Sequence, residues 1–413
     1  MTARLGDAFF RHEYGRLVAM LVRRVGVHHL EAIEDAVQSA LLAAVESWPR
    51  SAVPDHPAAW LYRVAHNQLV GELRQAARRG ELAAQHARAS LEEAGDAPTG
   101  PRAGLAGEVR DDLLRMLFVC CDDAIAVESQ LVLALKTLCG FGVREIAARL
   151  FLTEANVYKR LGRAQARLRD APPTTELSDA QLAARRPAVQ VILYTLFSEG
   201  YLSAHADGAI RRELCAEALR LAGELAAHPL GATPSTFALL ALLHLHHARL
   251  DARQDGSDGL LLLEEQDRGR WDQEEIAVGL SWLARAAEGN VFSRYHAEAG
   301  IAAEHCLAPT FAETRWQRVV ECYELLERVA PSALHTLNRA VASAQLHGPA
   351  SGLAVLEGLA PPAWLLGSYQ WSAVLADLHR RAGHVELAAQ HRAAALEGAP
   401  SEALRALLAR RLG

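Results

Sequence analysis

The sequence predicts an all-α protein: two small helical domains, followed by a solenoid-like C-terminal domain of α-helical repeats. Three observations predict this class. Ala, Leu, Arg and Glu, which favour helices, fill long windows of the chain. The alternation of β-branched residues that is typical of strands is almost absent. The length of 413 residues exceeds what one hydrophobic core usually supports, so we expect two or three domains.

The composition excludes several classes of protein. Hydrophobic residues make up 51% of the chain, which is enough for a buried core and too many for wholesale disorder. No apolar run reaches the about 18 residues that cross a bilayer, and the charged start lacks the apolar segment of a signal peptide. The six cysteines form no CxxC pair, so neither a zinc site nor a disulfide framework is predicted. We expect a cytoplasmic protein without a membrane partner.

The distribution of charge is more informative than the net charge of −6. Residues 1–170 contain 22 Lys and Arg against 21 Asp and Glu, whereas the remainder contains 21 against 28. The chain has two lysines, Lys136 and Lys159, so arginine supplies nearly all of the positive charge. An acidic sum therefore does not exclude a nucleic-acid partner for the first part of the chain.

Changes in composition divide the chain into five segments. The first predicted domain covers 1–80, and a Gly-, Pro- and Ala-rich stretch predicts a flexible linker over 81–108. A second small domain follows over 109–170. After the stretch "DAPPTTELSD" we expect a helical extension domain over 183–300 and helical repeats over 301–413.

The last segment has the spacing of tetratricopeptide-like repeats. Gly383, Ala388, Ala395 and Pro400 fall where such a unit needs a tight turn, two close helix contacts and a stop. Gly348 marks the turn of a weaker copy. Each helix pair exposes an apolar face that only a neighbouring pair can cover, so we expect the pairs to stack. A non-repetitive helical bundle is the alternative.

A charged cluster interrupts the helical extension. Paired carboxylates can serve a metal or acid–base chemistry, but nothing around these completes a site. We therefore interpret the cluster as an internally ion-paired loop at a helix end. Its members are Glu264, Glu265, Asp267, Arg268, Arg270, Trp271 and Asp272.

The stretch from Val143 to Arg169 has the pattern of a helix-turn-helix. A short helix precedes Thr153, a good N-cap, and a second helix follows it. One face of the second helix carries apolar residues at helical spacing: Val157, Leu161, Ala164 and Leu168. The opposite face carries Asn156, Lys159, Arg160, Arg163 and Arg167. Arg and Asn at such positions contact base edges and phosphates, so we expect a DNA-reading helix; a solvated amphipathic helix is the alternative.

A second helix with a basic end covers 59–79. Its aromatic candidates Trp60 and Tyr62 lie beside Arg63, His66 and Asn67. Aromatic rings interleaved with cations and amides suit unstacked single-stranded bases.

The helix before it is amphipathic and has no basic charge on its polar side. Ile33, Val37, Leu41, Ala44 and Trp48 lie on one side, and Glu34, Asp35 and Gln38 lie on the other. That polar side suits a protein partner better than DNA.

Taken together, the chain resembles the extracytoplasmic-function (group IV) RNA polymerase sigma factors, in the subgroup with a long C-terminal tetratricopeptide-like extension. The strings "IEDAVQSALLAAVESWP" and "PAAWLYRVAHNQLV" resemble sigma region 2, and "REIAARLFLTEANVYKRLGRAQARLR" resembles the region 4 helix-turn-helix. The continuation beginning "LYTLFSEGY" resembles the extension of that subgroup, so the resemblance is nearly full-length.

The resemblance implies roles for individual residues. Asp35, Gln38 and Leu41 would bind the β′ clamp of core polymerase. A loop with Val53, Asp55 and His56 would hold a flipped base of the minus-ten element, and the melted strand would lie along Trp60, Arg63, His66 and Asn67. The minus-thirty-five element would be contacted by Glu154, Asn156, Lys159, Arg160, Arg163 and Arg167.

The resemblance implies a sigma factor that directs core polymerase, through its β′ clamp and β flap, to promoter DNA and initiates transcription. It implies no catalysis, cofactor or metal, and a C-terminal extension that regulates activity through an intramolecular or protein partner. The main alternative is a helix-turn-helix regulator that acts without polymerase through a sensing or interaction domain. An enzyme built on the 264–272 carboxylates and a pure scaffold are further alternatives.

Overall fold

A computed structural model describes residues 7–51, 53–78, 104–150, 152–170, 177–203, 210–255 and 259–413. In that part of the chain every regular element is a helix, apart from one isolated β-bridge between Gln254 and Leu260. The all-α prediction is therefore confirmed. Contacts divide the chain into two compact units, 1–196 and 197–413. The predicted linker 81–108 lies mostly outside the described residues. Its last part, 104–108, is helical and not a flexible linker, because a helix begins at Gly104.

The first unit is built from eight helices within the described residues, the last of which continues past its boundary. They are α1 Asp7–Val25, α2 Leu30–Ser51, α3 Pro57–Arg78, α4 Gly104–Cys120, α5 Val127–Thr137, α6 Val143–Arg149, α7 Glu154–Arg169 and α8 Asp179–Tyr201. Gly26 ends α1 with a φ of 92°, a backbone conformation that side chains disfavour. The largest fully buried side chains of the unit include Leu17, Ile33, Leu61, Leu133 and Phe141.

The α1 helix holds the early and late parts of the first unit together. It packs on α2, α3, α4 and α5. A Cβ atom at Gly15 would lie 2.0 Å from the carbonyl oxygen of Leu138, so only glycine permits this approach of two backbones. Arg11 pairs with Glu145 at 3.1 Å, and Arg23 pairs with Asp112 at 2.9 Å. Helices of the two predicted small domains therefore pack against each other in one unit.

The second unit continues with eleven helices among the residues that the structure describes. They are α9 Arg212–Ala227, α10 Pro234–His247, α11 Gln273–Ala287, α12 Arg294–Leu307, α13 Trp316–Val329, α14 Ala333–His347, α15 Pro349–Leu356, α16 Ala363–Leu366, α17 Tyr369–Arg381, α18 Val385–Glu397 and α19 Glu402–Arg411. The α10 helix is the most buried of them, and it packs on α9, α11 and α12.

Later helices of the second unit pack in sequential order. Pairs such as α14 with α15, and α17 with α18, contact each other closely. Gly348 and Gly383 stand between the members of these pairs with φ values of 90° and 81°. Both glycines were predicted to form tight turns, and their positive φ values explain why glycine is needed there. The tetratricopeptide-like assignment itself stays a prediction.

Candidate nucleic-acid interface

The α7 helix presents a polar, cationic face to solvent. Thr153 caps it by accepting a hydrogen bond from the backbone N–H of Asn156 at 3.3 Å. The predicted apolar stripe is buried: Val157, Leu161, Ala164 and Leu168. Of the predicted contact residues, five are exposed: Glu154, Asn156, Lys159, Arg163 and Arg167. Burial of the stripe fixes the rotation of the helix, and this rotation turns the cations outward.

Arg160 is less accessible than its neighbours on α7. Its side chain is half-buried, and its Nη1 lies 3.5 Å from the carbonyl oxygen of Glu128, at the limit of a hydrogen bond. Tyr158 is 61% exposed on the same helix. The sequence prediction missed Tyr158, although a tyrosine next to two cations in a predicted recognition helix was a usable signal.

The α3 helix carries a second group of predicted contact residues. Arg63 and Asn67 are exposed, one helical turn apart. Trp60 is half-buried one turn earlier, and its ring meets the Trp48 ring edge-on at 5.5 Å between centroids. The packed edge holds the indole ring in position while part of it remains accessible.

His66 does not share that exposure. It is 8% exposed, and its ring stacks on Tyr62 at 5.8 Å between centroids. Burial lowers the pKa of His66, because it disfavours the charged imidazolium. A hydrogen bond with Asn67 partly opposes this shift, and the positive charge of Arg24 reinforces it. His66 is therefore a neutral packing residue that supports the exposed face of α3.

The loop before α3 exposes two of its three predicted contact residues. Asp55 and His56 are exposed, and Val53 is half-buried. The carbonyl oxygen of His56 accepts a hydrogen bond from the Trp60 backbone N–H at 3.1 Å. This bond ties the loop to the first turn of α3.

The α2 helix exposes a mixed acidic and apolar strip. Asp35 and Gln38 are exposed as predicted, and Leu41 is half-buried. The sequence prediction missed Leu42 and Val45, which are 63% and 55% exposed. The spacing of Asp35, Gln38, Leu42 and Val45 follows one helix face. Exposed aliphatic side chains next to polar groups are typical of a protein-binding surface.

Glu34 corrects one part of the prediction for α2. It was placed with Asp35 on the polar side, but it is buried, at 6% exposure. Its carboxylate oxygens accept hydrogen bonds from Thr137 Oγ1 at 2.8 Å and from Gln165 Nε2 at 3.0 Å. The reason is tertiary packing, because α5 and α7 cover this part of α2. At the edge of the same contact, Arg169 forms an exposed ion pair with Glu31.

Three of the four carboxylates of the 264–272 cluster have structural partners. Asp267 accepts a hydrogen bond from Gly269, and Asp272 caps α11 by accepting from the backbone N–H groups of Glu274 and Glu275. Glu265 forms an ion pair with Arg410 at 2.8 Å. These contacts agree with a charged loop at a helix end. The predicted internal ion pairing is not found among the described residues, because Glu265 pairs with Arg410 outside the cluster and the two aspartates accept from backbone N–H groups.

None of the helices in the described part of the chain has the length and apolar character that crossing a bilayer requires.

Comparison with known proteins identifies two parts of the chain. Residues 10–79, which contain most of α1 to α3, match sigma-70 region 2. Residues 185–287 match a family of unknown function, DUF6596. An uncharacterized protein of Rhizobium meliloti (strain 1021) is 36% identical over 332 residues, which cover 80% of this chain and 78% of that protein. No solved structure matches.

The region 2 match confirms the sigma-factor part of the predicted resemblance, and the group IV class and the repeat-type extension stay predictions. The chain belongs to the same family as the Rhizobium meliloti protein, and its N-terminal sigma-70 region 2 domain supports a sigma-factor-like role with RNA polymerase.

Proposed function

We propose that this chain is an RNA polymerase sigma factor of the extracytoplasmic-function (group IV) class that directs core polymerase to specific promoters. One observation carries the proposal. The sigma-70 region 2 match covers most of α1 to α3, and within it α2 exposes a mixed acidic and apolar strip while α3 exposes Arg63 and Asn67 beside the half-buried Trp60. Proteins of the sigma-70 family are not enzymes, so polymerase performs the chemistry.

In this proposal the α2 strip binds the β′ clamp. Asp35 and Gln38 supply polar contacts, and the exposed side chains of Leu42 and Val45 supply apolar area that complex formation would bury. An interface with an apolar centre and a polar rim is the usual arrangement for a stable protein contact. The β flap would bind the helix-turn-helix part of the first unit.

The minus-ten element would lie along α3 and the loop before it. Asp55 and His56 are exposed where a flipped base would enter. Trp60 offers a partly accessible ring for stacking, and Arg63 and Asn67 follow it along the same face. Stacking on aromatic rings together with cationic contacts is how proteins hold unpaired bases.

The minus-thirty-five element would be read by α7, whose N-terminal part enters the major groove. Asn156 and Lys159 lie in its first two turns, where base contacts are expected, and Arg163 and Arg167 lie further along, where phosphates are expected. Arg160, which is half-buried, would have to leave the Glu128 carbonyl oxygen to reach a base.

Run-off transcription with purified core polymerase tests the proposal. The full chain should produce promoter-dependent transcripts from a genomic fragment library, and Arg163→Ala should reduce them. Arg318→Ala is the matched control, because Arg318 is an exposed arginine of the second unit that pairs with Glu321. Specific duplex binding by the chain alone, without any transcript on adding polymerase, would instead identify the helix-turn-helix regulator.

The same assay tests whether the second unit regulates activity, which is the role we propose for it. A chain ending at Ser203 keeps all of α8, whose buried Arg185 donates to the carbonyl oxygen of Phe118 at 3.2 Å in the first unit. A transcript yield that differs from that of the full chain is expected, and equal yields would contradict the regulatory role.

A further inference from the structure

Three arginines of the second unit converge at the ends of different helices. Arg249 follows the C-terminus of α10, Arg253 follows the short 3-10 helix Leu250–Ala252, and Arg268 begins the 3-10 helix Arg268–Arg270. We call these residues and the side chains around them the arginine cluster: Tyr201, His246, Arg249, Arg253, Arg268, Trp271 and His305. Most of the cluster lies within the residues matched to the family of unknown function.

Each of the three guanidinium groups lies against an aromatic ring. The Arg249 and Arg268 guanidinium carbons lie 5.1 Å and 4.4 Å from the centre of the Trp271 ring. The Arg253 guanidinium lies over the Tyr201 ring at 3.6 Å. Cation–π contacts orient these groups, but they do not neutralise their charge.

The cluster holds more buried donors than the described residues satisfy. Arg249 is 6% exposed and Trp271 is 3% exposed. Four buried N–H positions have no hydrogen-bond partner among the described residues: Arg249 Nε, Arg253 Nε, Arg268 Nη2 and Trp271 Nε1. The other terminal nitrogen of Arg268 is satisfied, since it donates to the carbonyl oxygens of His305 and Ala308. The unsatisfied Nη2 of Arg268 therefore belongs to a guanidinium group that the backbone already holds in place.

The residues that the structure describes also supply no ion-pairing counter-charge. Within the described part of the chain, none of the three arginines forms an ion pair with a carboxylate. Glu313 affects Arg268 only by electrostatic attraction at a distance. The positive charge of Arg249 repels the Arg268 guanidinium and so counteracts that attraction. A buried guanidinium without a partner anion is strongly unfavourable, because water no longer stabilises its charge.

Neighbouring titratable groups respond to this positive field. Burial, reinforced by the arginines, lowers the pKa of His246 and of His305 to about 3, so both imidazoles are neutral. Burial raises the pKa of Tyr201, but Arg249 and Arg253 outweigh it, and the pKa of the phenol falls below its ordinary value. The two neutral histidines therefore add no charge, and the three guanidinium groups keep the cluster cationic.

We propose that the arginine cluster is a binding site for a phosphate group, either free phosphate or the phosphate of a small metabolite. Guanidinium forks match the oxygens of phosphate in a bidentate manner, and the Trp271 N–H is a further unsatisfied donor of the cluster. Guanidinium groups already lie over the Tyr201 and Trp271 rings, which hinders the stacking of a nucleotide base there. A compact ligand fits better than a nucleotide.

Access to the cluster is possible from its rim. Tyr201, His246, Arg253, Arg268 and His305 are half-buried around the buried pair Arg249 and Trp271. A ligand that enters can therefore first contact the half-buried residues. Once it is bound, it can accept hydrogen bonds from the buried donors of Arg249 and Trp271. Water is excluded from the innermost charge, which strengthens its attraction to an anion.

Thermal unfolding of the full chain tests the site, with inorganic phosphate as the probe and sodium chloride at equal ionic strength as the reference. Phosphate should raise the unfolding temperature of the second unit in a saturable manner. Arg249→Gln should remove the phosphate effect and should itself raise the unfolding temperature without phosphate, since it removes a buried unpaired charge. Arg318→Gln, an exposed paired arginine, should keep the phosphate effect.

Further variants and ligands keep the test decisive. Should Arg249→Gln fail to fold, Arg253→Gln removes a half-buried member, and isothermal titration should show phosphate binding weakened at least tenfold. If glucose 6-phosphate binds more tightly than inorganic phosphate, the natural ligand is a phosphorylated metabolite. If inorganic phosphate binds more tightly, the natural ligand is the free ion. Succinate binding more tightly than both, or equal effects of phosphate and chloride, overturns the proposal. Transcription by the wild-type chain is a separate readout, so failure of this site leaves the proposed function untouched.

Discussion

Glu34 gives the sharpest test of how the first unit is held together. Replacing it with alanine removes both hydrogen bonds that join α2 to α5 and α7. The hydroxyl of Thr137, which is fully buried, then loses its acceptor, whereas Gln165 is half-buried and can turn to water. An unsatisfied buried donor costs about 1–3 kcal/mol. We expect Glu34→Ala to weaken this contact by a similar amount.

The pH dependence separates the charge of Glu34 from its hydrogen bonds. Burial raises the pKa of Glu34 above its ordinary value, although hydrogen bonding by Thr137 and the charge of Lys136 oppose the shift. A raised pKa in the folded protein means that protonation favours the packed form. This stability is fully present below the unfolded pKa and is lost as the pH rises through the folded one. Glu34→Gln keeps a similar shape without the charge, so it should lack this dependence.

Hydrogen exchange followed by mass spectrometry of the full chain measures both effects. Peptides covering α5 should exchange faster in Glu34→Ala, by about tenfold for each 1.4 kcal/mol. After correction for the intrinsic effect of pH on exchange, protection in the wild-type chain should fall as the pH rises from acid. Protection in Glu34→Gln should stay flat. Identical pH profiles for the two chains would refute the reasoning, as would unchanged exchange in Glu34→Ala.

Three further predictions concern single positions. Leu42→Asp places a charge on the proposed polymerase strip, so it should weaken binding to core polymerase in a pull-down and leave thermal stability unchanged. Trp60→Ala should spare duplex binding and lower the permanganate reactivity of promoter thymines, and normal reactivity would exclude a role in strand opening. Gly15→Ala should destabilise the first unit by about 1–3 kcal/mol in urea unfolding, because its Cβ would clash with the carbonyl oxygen of Leu138. Gly71→Ala is the control: nothing lies within 4 Å of its Cβ, so a gain of about 0.5–1 kcal/mol is expected.

Local patterns predicted the helices and their buried faces well. The stripe of α7 from Val157 to Leu168 is buried as its spacing required, and Thr153 caps the helix. Such features depend on residues within a few turns of each other, where helical periodicity is decisive. The turns at Gly348 and Gly383 were predictable for the same reason, since a positive φ is a local requirement.

Features that depend on distant residues were not predictable in this way. Glu34 is covered by Thr137, which is 103 positions later in the chain, so the pattern of α2 alone gave no sign of its burial. Leu42 is exposed although it is apolar, because no helix of the part that the structure describes covers it. The arginine cluster combines residues from four separate segments of the chain. In the sequence, each of its arginines looks like an ordinary charged residue at the end of a helix.

The same reasoning explains why the net charge says so little about binding. Many arginines of the second unit form ion pairs with carboxylates, such as Arg339 with Glu327 at 3.0 Å and Arg410 with Glu265 at 2.8 Å. Two groups of arginines are different, because they have no carboxylate partner within the described residues. The exposed group on α7, Arg163 and Arg167, is stabilised by water. Phosphates of DNA can replace this water when DNA binds. The buried group around Arg249 has no such solvation, so an anion bound there stabilises the fold itself. Exposure thus decides how each group depends on its ligand: α7 keeps its structure without DNA, whereas the arginine cluster gains stability whenever its anion is present.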